Sequence, residues 1–390
     1  GIRYQQSNNK YAVVNCFVVY DQKLFVGGRF ELAGDISAGY IASWDGTSWS
    51  SVGQGLYGDV GCLAVYDDKL IASGDFTYVG GIVNKIAAWD GTSWKPLGTG
   101  VNGDGYIYAL ATYDGKLIAG GNFSSIGGIS AKKIAAWDGT TWKPYNSGIS
   151  DEFSISSLYL YNKQLIVTGA VYNQLTNNSS ARIAKWDGSS WLYIDTSLEG
   201  YFPSISTVTV YNDMLIAGGG FSNAGDKGIT NIAAWNGSSW LSLGSGISGS
   251  VGRSTTHVYA LTKYNGSIIA GGNFTTVGNG LPVNHITAWN EGKFTSLSIG
   301  MNDEIYALTV YNGNLIAGGN FTTAGGIPAN YIAAWDGSSW SPLGSGMTSR
   351  VNALIVFDGK LVAGGWFTKA GGATVKNVAI WDGSSWSPLG

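Results

Sequence analysis

Charge is scarce in this 390-residue chain: 12% of its residues are charged, and the formal net charge is −3. With no basic excess to displace the counterions of a phosphate backbone, nucleic acid is not an expected partner. Histidine and cysteine each occur twice, as His257 and His285 and as Cys16 and Cys62. Two cysteines exclude a disulfide framework, and two isolated histidines give no metal-ligand spacing, so no cofactor and no metal are expected. Seven prolines against sixty glycines exclude a proline-rich chain, and the glycines lack the three-residue period of collagen. No apolar run reaches the about eighteen residues of a membrane-spanning helix, so direct membrane insertion of this segment is not expected. The most apolar early stretch, YAVVNCFVVY, lacks the cationic leader and small-residue cleavage site of a signal peptide. A chain opening at Gly1 is expected to be processed or excised from something longer. HExxH, GxSxG, P-loop and DxDxDG motifs are missing, as are adjacent cysteines, so an enzyme is not expected.

What is present is a repeat. Trp44, Trp89, Trp137, Trp186, Trp235, Trp289, Trp335 and Trp381 each close a short apolar run and precede Asp-Gly or Asn-Gly, with Asn-Glu-Gly after Trp289. The gaps are 45, 48, 49, 49, 54, 46 and 46 residues. A second aromatic follows five positions later each time: Trp49, Trp94, Trp142, Trp191, Trp240, Phe294, Trp340 and Trp386. A fixed period of about fifty residues marks a repeat array. Each unit holds four β-type segments, such as IYALTVY, NLIAGGNFT, YIAAW and SSWSPLG. Asn312-Gly313 joins the first two and Asp336-Gly337 the last two; both pairs supply the positive φ of tight hairpins. The expected fold is all-β: a single eight-bladed β-propeller over 1–390, four antiparallel strands per blade, period about 48 residues. The blades run approximately 1–54, 55–99, 100–147, 148–197, 198–245, 246–299, 300–345 and 346–390. Units end in Gly-Ser-Gly-Met or a relative, and the chain begins Gly1-Ile2 and ends Pro388-Leu389-Gly390, so closure is expected by packing of the first blade on the eighth.

The layout resembles the kelch-type propellers, in which a strand ending in Gly-Gly precedes an aromatic third strand and a Trp opening the fourth. The doublets are Gly27-Gly28, Gly120-Gly121, Gly218-Gly219, Gly271-Gly272, Gly318-Gly319 and Gly364-Gly365, with Ser73-Gly74 and Thr168-Gly169 departing from the pattern. The wording IAAWDGSSWSPLGSGM is similar to the Rax2-like repeats of cortical cell-polarity markers and of secreted microbial propellers. That resemblance implies a cell-surface interaction role and an extracellular setting. Seven Asn-x-Ser/Thr sequons (Asn122, Asn177, Asn178, Asn236, Asn265, Asn273, Asn320) lean the same way, with Asn177, Asn178, Asn236 and Asn265 the expected glycan acceptors.

Fifteen of the sixteen tryptophans sit at the two repeated positions, and no Arg or Glu recurs beside them in register, so they read as packing between blades. The exception, Trp366, falls where other blades carry Arg29, Asp75, Asn122, Ala170, Gly220, Asn273 and Asn320. It is either a solvent-side contact residue or filler at a seam. Cys16 and Cys62 share one position on consecutive first strands and read as two buried thiols, a cross-blade disulfide being the alternative. Both hairpin turns of a blade share one face; the other carries longer loops, where binding residues are expected. Candidates there are Trp366 and the varied residues before each third strand: Tyr40, Lys85, Lys133, Arg182, His285, Tyr331 and Asn377, with Asn231 at the same position. Acids precede the first strands: Asp59, Asp104, Asp151 with Glu152, Glu199, and Asp303 with Glu304. The function expected is a non-catalytic binding or structural module of a secreted or surface-displayed protein. Its partner would be a protein or a second copy of itself; the alternative is a carbohydrate-binding, lectin-like propeller engaging a polysaccharide.

Overall fold

The computed structural model describes residues 2–3, 12–77, 84–145, 149–150, 152–173, 178–194, 198–199, 203–224, 228–250, 255–278 and 280–389. Asp151, Asn177 and both terminal glycines lie outside these residues, and the side chains of Asn178 and Glu199 are not described. Among the described residues there is no helix, and so none long and apolar enough to cross a membrane.

Seven four-stranded antiparallel sheets follow one another along the chain, together with a meander, fourth in chain order, of Phe153–Tyr161, Gln164–Asn173, Asn178–Trp186 and Trp191–Tyr193 that is part of a six-stranded sheet. The seventh of the eight in chain order is typical: Ile305–Tyr311, Asn314–Gly319, Ile332–Trp335 and Trp340–Pro342, paired in that order. The first two strands meet at a turn whose residues hold the left-handed backbone that Asn-Gly adopts readily, Asn312 at φ 48° and Gly313 at 79°. The second strand is buried along most of its length, because it packs against sheets on both sides. Loops between second and third strands fold into two-residue ribbons such as Thr323–Ala324 with Ile327–Pro328. The apolar residue closing each Gly-Ser-Gly-Met segment seals onto such a ribbon: Met347 on Ala370, Met301 on Ala324 and Val101 on Ile126. Ile2 pairs with Ala33 in the same way, as the repeat requires.

The strands divide into two compact units, one of Gly1–Val171, Ile183–Tyr193 and Leu389–Gly390, the other of Tyr172–Arg182 and Ile194–Pro388. In each, the core lies between consecutive sheets. One cluster joins Ile269, Ile286 and Leu297 of the sixth sheet to Ile305, Leu315, Phe321 and Trp340 of the seventh. Every described tryptophan pair is a cross-strand pair within its sheet, Trp335 opposite Trp340 with ring centroids 5.3 Å apart. In six blades the second Trp also reaches across to a carbonyl outside its own strand pair, whereas Trp240 Nε1 is buried with no hydrogen-bond partner among the described residues. Trp340 Nε1 donates to Leu297 O at 3.0 Å, Trp386 to Leu343 O at 2.9 Å, Trp94 to Val52 O at 2.9 Å and Trp142 to Leu97 O at 2.8 Å. Trp49 Nε1 bonds the carbonyl of Leu389. The indole thus buries area and fixes the spacing of neighbouring sheets with one directional bond.

The Asp of each WDG turn is a structural acceptor. Asp336 Oδ1 takes the N–H groups of Ser338 and Ser339, both at 2.7 Å, and the Ser338 hydroxyl at 2.8 Å. Those bonds favour the ionised form and hold the carboxyl well below its ordinary range. Asp45, Asp90, Asp138, Asp187 and Asp382 make the same set.

A candidate binding site at the loop ends of the first strands

Two backbone features shape the loop-bearing end of each blade. The first is a β-bulge near the start of every first strand, the register slipping between Ile305 and Ala307 and at the corresponding place in the other seven. The residue left unpaired is Asn15, Gly61, Tyr108, Ser156, Ser206, Tyr259, Tyr306 or Asn352, and a bulge re-aims such a side chain out of the ladder. The bulge also lays a carbonyl over the second residue of the Gly-Gly doublet. A Cβ on Gly319 would lie 2.1 Å from Glu304 O, and one on Gly74 2.0 Å from Asp59 O. All eight blades keep that second glycine, whereas the first can be Ser73 or Thr168. Ser73 answers Cys62, whose Sγ is 2.8 Å from its hydroxyl. Both thiols are free, and burial pushes the Cys62 thiol up to about 11 and Cys16 higher still.

The second feature is the corner before the third strand. Tyr40, Lys85, Lys133, Asn231, His285, Tyr331 and Asn377 all hold positive φ, between 61° and 72°. Each closes a two-bond clamp. Tyr331 N donates to Phe321 O at 2.7 Å while Tyr331 O accepts from Gly319 N at 3.0 Å, and His285 repeats this with Phe274 and Gly272. A non-glycine residue there costs about 1–2 kcal/mol, which the paired hydrogen bonds and packing offset. The side chains at this corner turn inward to different degrees. His285 is 3% exposed, with Nδ1 3.2 Å from Gly272 O. Lys85 is 7% exposed, its ammonium donating to Gly103 O at 3.1 Å and Gly105 O at 2.9 Å and lying 4.3 Å over the Tyr106 ring. Lys133 donates to Asn122 Oδ1 at 2.7 Å. Tyr40 and Tyr331 are half-buried against core clusters, Asn377 is half-buried, and Arg182 sits within the strand Asn178–Trp186.

Trp366 is different. It is 51% exposed, beyond the end of Lys360–Gly365, and the Arg350 guanidinium lies 3.6 Å from its ring centroid. The same guanidinium lies 5.8 Å from the Tyr306 ring of the preceding blade. From Tyr306 the rings continue: Tyr259 at 5.5 Å, then His257 stacked on Tyr259 at 4.7 Å. All of these lie in the second unit: Tyr259 and Tyr306 at bulged positions, His257 and Arg350 two residues before a bulged position, and Trp366 just past the end of a second strand. Among the described residues no carboxylate pairs with Arg350, and its Nε is buried without a hydrogen-bond partner. Tyr306 donates its hydroxyl to Glu304 Oε2 at 2.5 Å, and that bond with burial raises the phenol far above its ordinary range. Asp303 is held by Asn320 Nδ2 at 2.9 Å.

At its far end the row meets a cavity of about 440 Å³ lined by Thr230, Asn231, Ser248, Thr255 and His257 among others, with no acid, lysine or arginine among the described residues of its wall. It opens where Gly220 takes the rim position; a Cβ there would lie 2.5 Å from His257 Nδ1. His257 Nε2 is 2.6 Å from the Ser206 hydroxyl, and desolvation lowers the imidazole's pKa below its ordinary value. The first unit carries a smaller set at the same strand positions: Tyr106 and Tyr108, 38% and 48% exposed and stacked at 6.2 Å, under the Lys85 ammonium. Its rim has an ion pair between Arg29 and Asp59 at 2.5 Å. The sequence alone did not mark Tyr259, Tyr306, His257 or Arg350. Their only signal is identity at the bulged position and two residues before it, and the bulge itself is invisible until strands are paired.

Two segments of the chain, residues 114–135 and 358–379, match the family described as a domain of unknown function (DUF5122) β-propeller. No curated protein sequence matches the chain. Among solved structures, the computationally designed Ika8 protein aligns over 98% of this chain and 99% of its own, at 16% identity and a TM-score of 0.57. The Dos1 propeller aligns over 93% of this chain and 92% of its own, at 12% identity and a TM-score of 0.54. The molecule is therefore a β-propeller. Its eight four-stranded meanders make it eight-bladed.

Proposed function

We propose that this propeller is a non-catalytic binding module of a secreted or surface-displayed protein, engaging its partner through the loop-bearing ends of its first strands. One observation supports this most directly: Tyr108, Tyr259 and Tyr306 at bulged positions, with Trp366 nearby on the second unit's row, present exposed or half-buried rings, and the Arg350 guanidinium beside Trp366 has no ion-pair partner among the described residues. Aromatic and arginine side chains on a rigid scaffold are the usual anchors of recognition. Ser206 and His257 lie within hydrogen-bond reach, but no carboxylate orients the imidazole among the described residues, which argues against nucleophilic catalysis by that pair. The resemblance to kelch-type and Rax2-like repeats supports a cell-surface setting. Among the sequons, Asn265 sits in an exposed turn suited to a glycan, while Asn273 is 2% exposed and bonded to Thr255 and His257, which removes it as an acceptor.

The sequence leaves two partner classes open, a protein and a carbohydrate. The row of rings favours the second, because it offers several platforms in line and little contiguous apolar surface. The module is tested by binding to cell-envelope material of the source organism. The pair Tyr108→Ala with Trp366→Ala should abolish retention while the melting temperature holds, and Leu160→Ala, beside a hairpin turn at the opposite blade end, should leave retention intact. Equal retention of all three proteins would remove the loop-bearing ends from the function.

A further inference from the structure

From the row Trp366–Arg350–Tyr306–Tyr259–His257 we infer a binding site for a neutral carbohydrate chain of several sugar residues. The inference rests on the binding-module reading above and deepens it by naming the ligand. A pyranose presents C–H groups on its flatter face, and these pack against the electron-rich face of an aromatic ring. Its hydroxyls need donors and acceptors at the ring's edge. The structure supplies both within one unit. The exposed Trp366 ring has a stacking partner, Arg350, at 3.6 Å, so the indole is held in place before any ligand arrives. The Arg350 guanidinium has no ion-pair partner among the described residues and is a planar fork of donors for sugar oxygens. Glu304, fixed by the Tyr306 hydroxyl, and Asp303, fixed by Asn320, supply acceptors.

The distribution of charge selects a neutral chain. Glu304 is bonded to Tyr306, over whose ring the single cation of the row lies, and Asp303 adjoins Glu304, so a polyanion would gain one favourable contact and meet two repulsive ones. Among the described residues, the wall next to His257 carries hydroxyl, amide and imidazole groups and the Phe221 ring, with no charged side chain. The spacing selects a chain over a single sugar. The row runs from His257 through Tyr259 and Tyr306 to the Arg350–Trp366 pair over three successive blades, longer than one pyranose, with Trp366 as the exposed platform at its end.

Isothermal titration calorimetry on the whole chain tests this. The probes are hexasaccharides and disaccharides of glucose, mannose, galactose, xylose and N-acetylglucosamine, with hexagalacturonate as the acidic comparison. The expected result is binding of at least one neutral hexasaccharide, at least about tenfold tighter than its disaccharide. Trp366→Ala and Tyr259→Ala should each weaken it by at least about tenfold, and Trp366→Phe should restore part of the loss. The melting temperature of Trp366→Ala should stay at the parent value, since the side chain is exposed. Binding of hexagalacturonate alone, or hexasaccharide binding indifferent to Trp366 and Tyr259, overturns the inference. So does failure of every neutral chain to bind. If neutral chains fail while envelope material is still retained through Trp366 and Tyr108, the carbohydrate inference falls and the module stands, with a protein as the partner. Loss of both removes the module as well.

Discussion

Replacing Trp340 by Phe removes one hydrogen bond and part of one ring while leaving an aromatic in the same slot. The chain contains its own precedent, because Phe294 fills that position one blade earlier, opposite Trp289 and 7% exposed. Trp340 is 5% exposed and donates to Leu297 O at 3.0 Å. That carbonyl also accepts from Gly300 N at 3.2 Å, so it is not orphaned by the change, and the lost bond belongs near the middle of the usual range, about 1 kcal/mol. The smaller ring gives up about 40 Å² of buried apolar area, about another 1 kcal/mol at 25 cal/mol per Å². A destabilisation of about 2 kcal/mol would lower the melting temperature of this 390-residue chain by about 2–3 °C. Trp340→Ala, which also empties the space beside Trp335 and Gly325, should cost about 3–5 kcal/mol. Calorimetry or far-ultraviolet circular dichroism during heating reads both, without the interference of sixteen tryptophans in fluorescence. If Trp340→Phe melts within a degree of the parent, the strap to Leu297 contributes nothing and the account of blade spacing is wrong. If Phe is as damaging as Ala, the indole acts through something other than bond and area.

The WDG carboxylates predict an acid limit. Their pKa values are depressed in the fold, so their stabilisation is present above about pH 4, the ordinary unfolded value, and fades as pH falls towards about 2 and below. Unfolding free energy measured in urea should therefore drop steeply below pH 4, and Asp336→Asn should shallow that slope, because Asn236 makes the same turn without a charge. Gly319→Ala should cost about 3 kcal/mol or more, since the new Cβ would sit 2.1 Å from a strand carbonyl; a stability within half a kcal/mol of the parent would show that the bulge yields easily. The two thiols should react with iodoacetamide far more slowly in the folded protein at pH 8 than in urea, because burial keeps both protonated. Equal rates would mean that they are accessible in the native state.

The repeat made the strands, the hairpins and the packing role of the paired tryptophans legible, because each depends on residues close together in one unit. Asp336-Gly337 sets a turn by local chemistry, and Trp335 and Trp340 meet because that turn puts them opposite each other. The corner residues show the limit of such reading. Tyr40, Lys85, His285 and Tyr331 vary freely in sequence, yet they share a left-handed backbone and a two-bond clamp that the chain imposes whatever the side chain. The departures Ser73 and Thr168 also become intelligible only in three dimensions: the demanding position is the second of the doublet, under the carbonyl that the bulge brings down.

What the sequence determined by itself was therefore periodic and local: an all-β chain, eight units, their turns and their apolar faces. What the tertiary structure decided was which exceptions meet. Tyr259, Tyr306 and Arg350 come from three successive blades, and they become neighbours only because first strands pack side by side and a bulge turns the unpaired residue outward. Spacing along the chain cannot carry that information, since contacts between blades depend on how whole sheets stack and not on any residue's immediate neighbours.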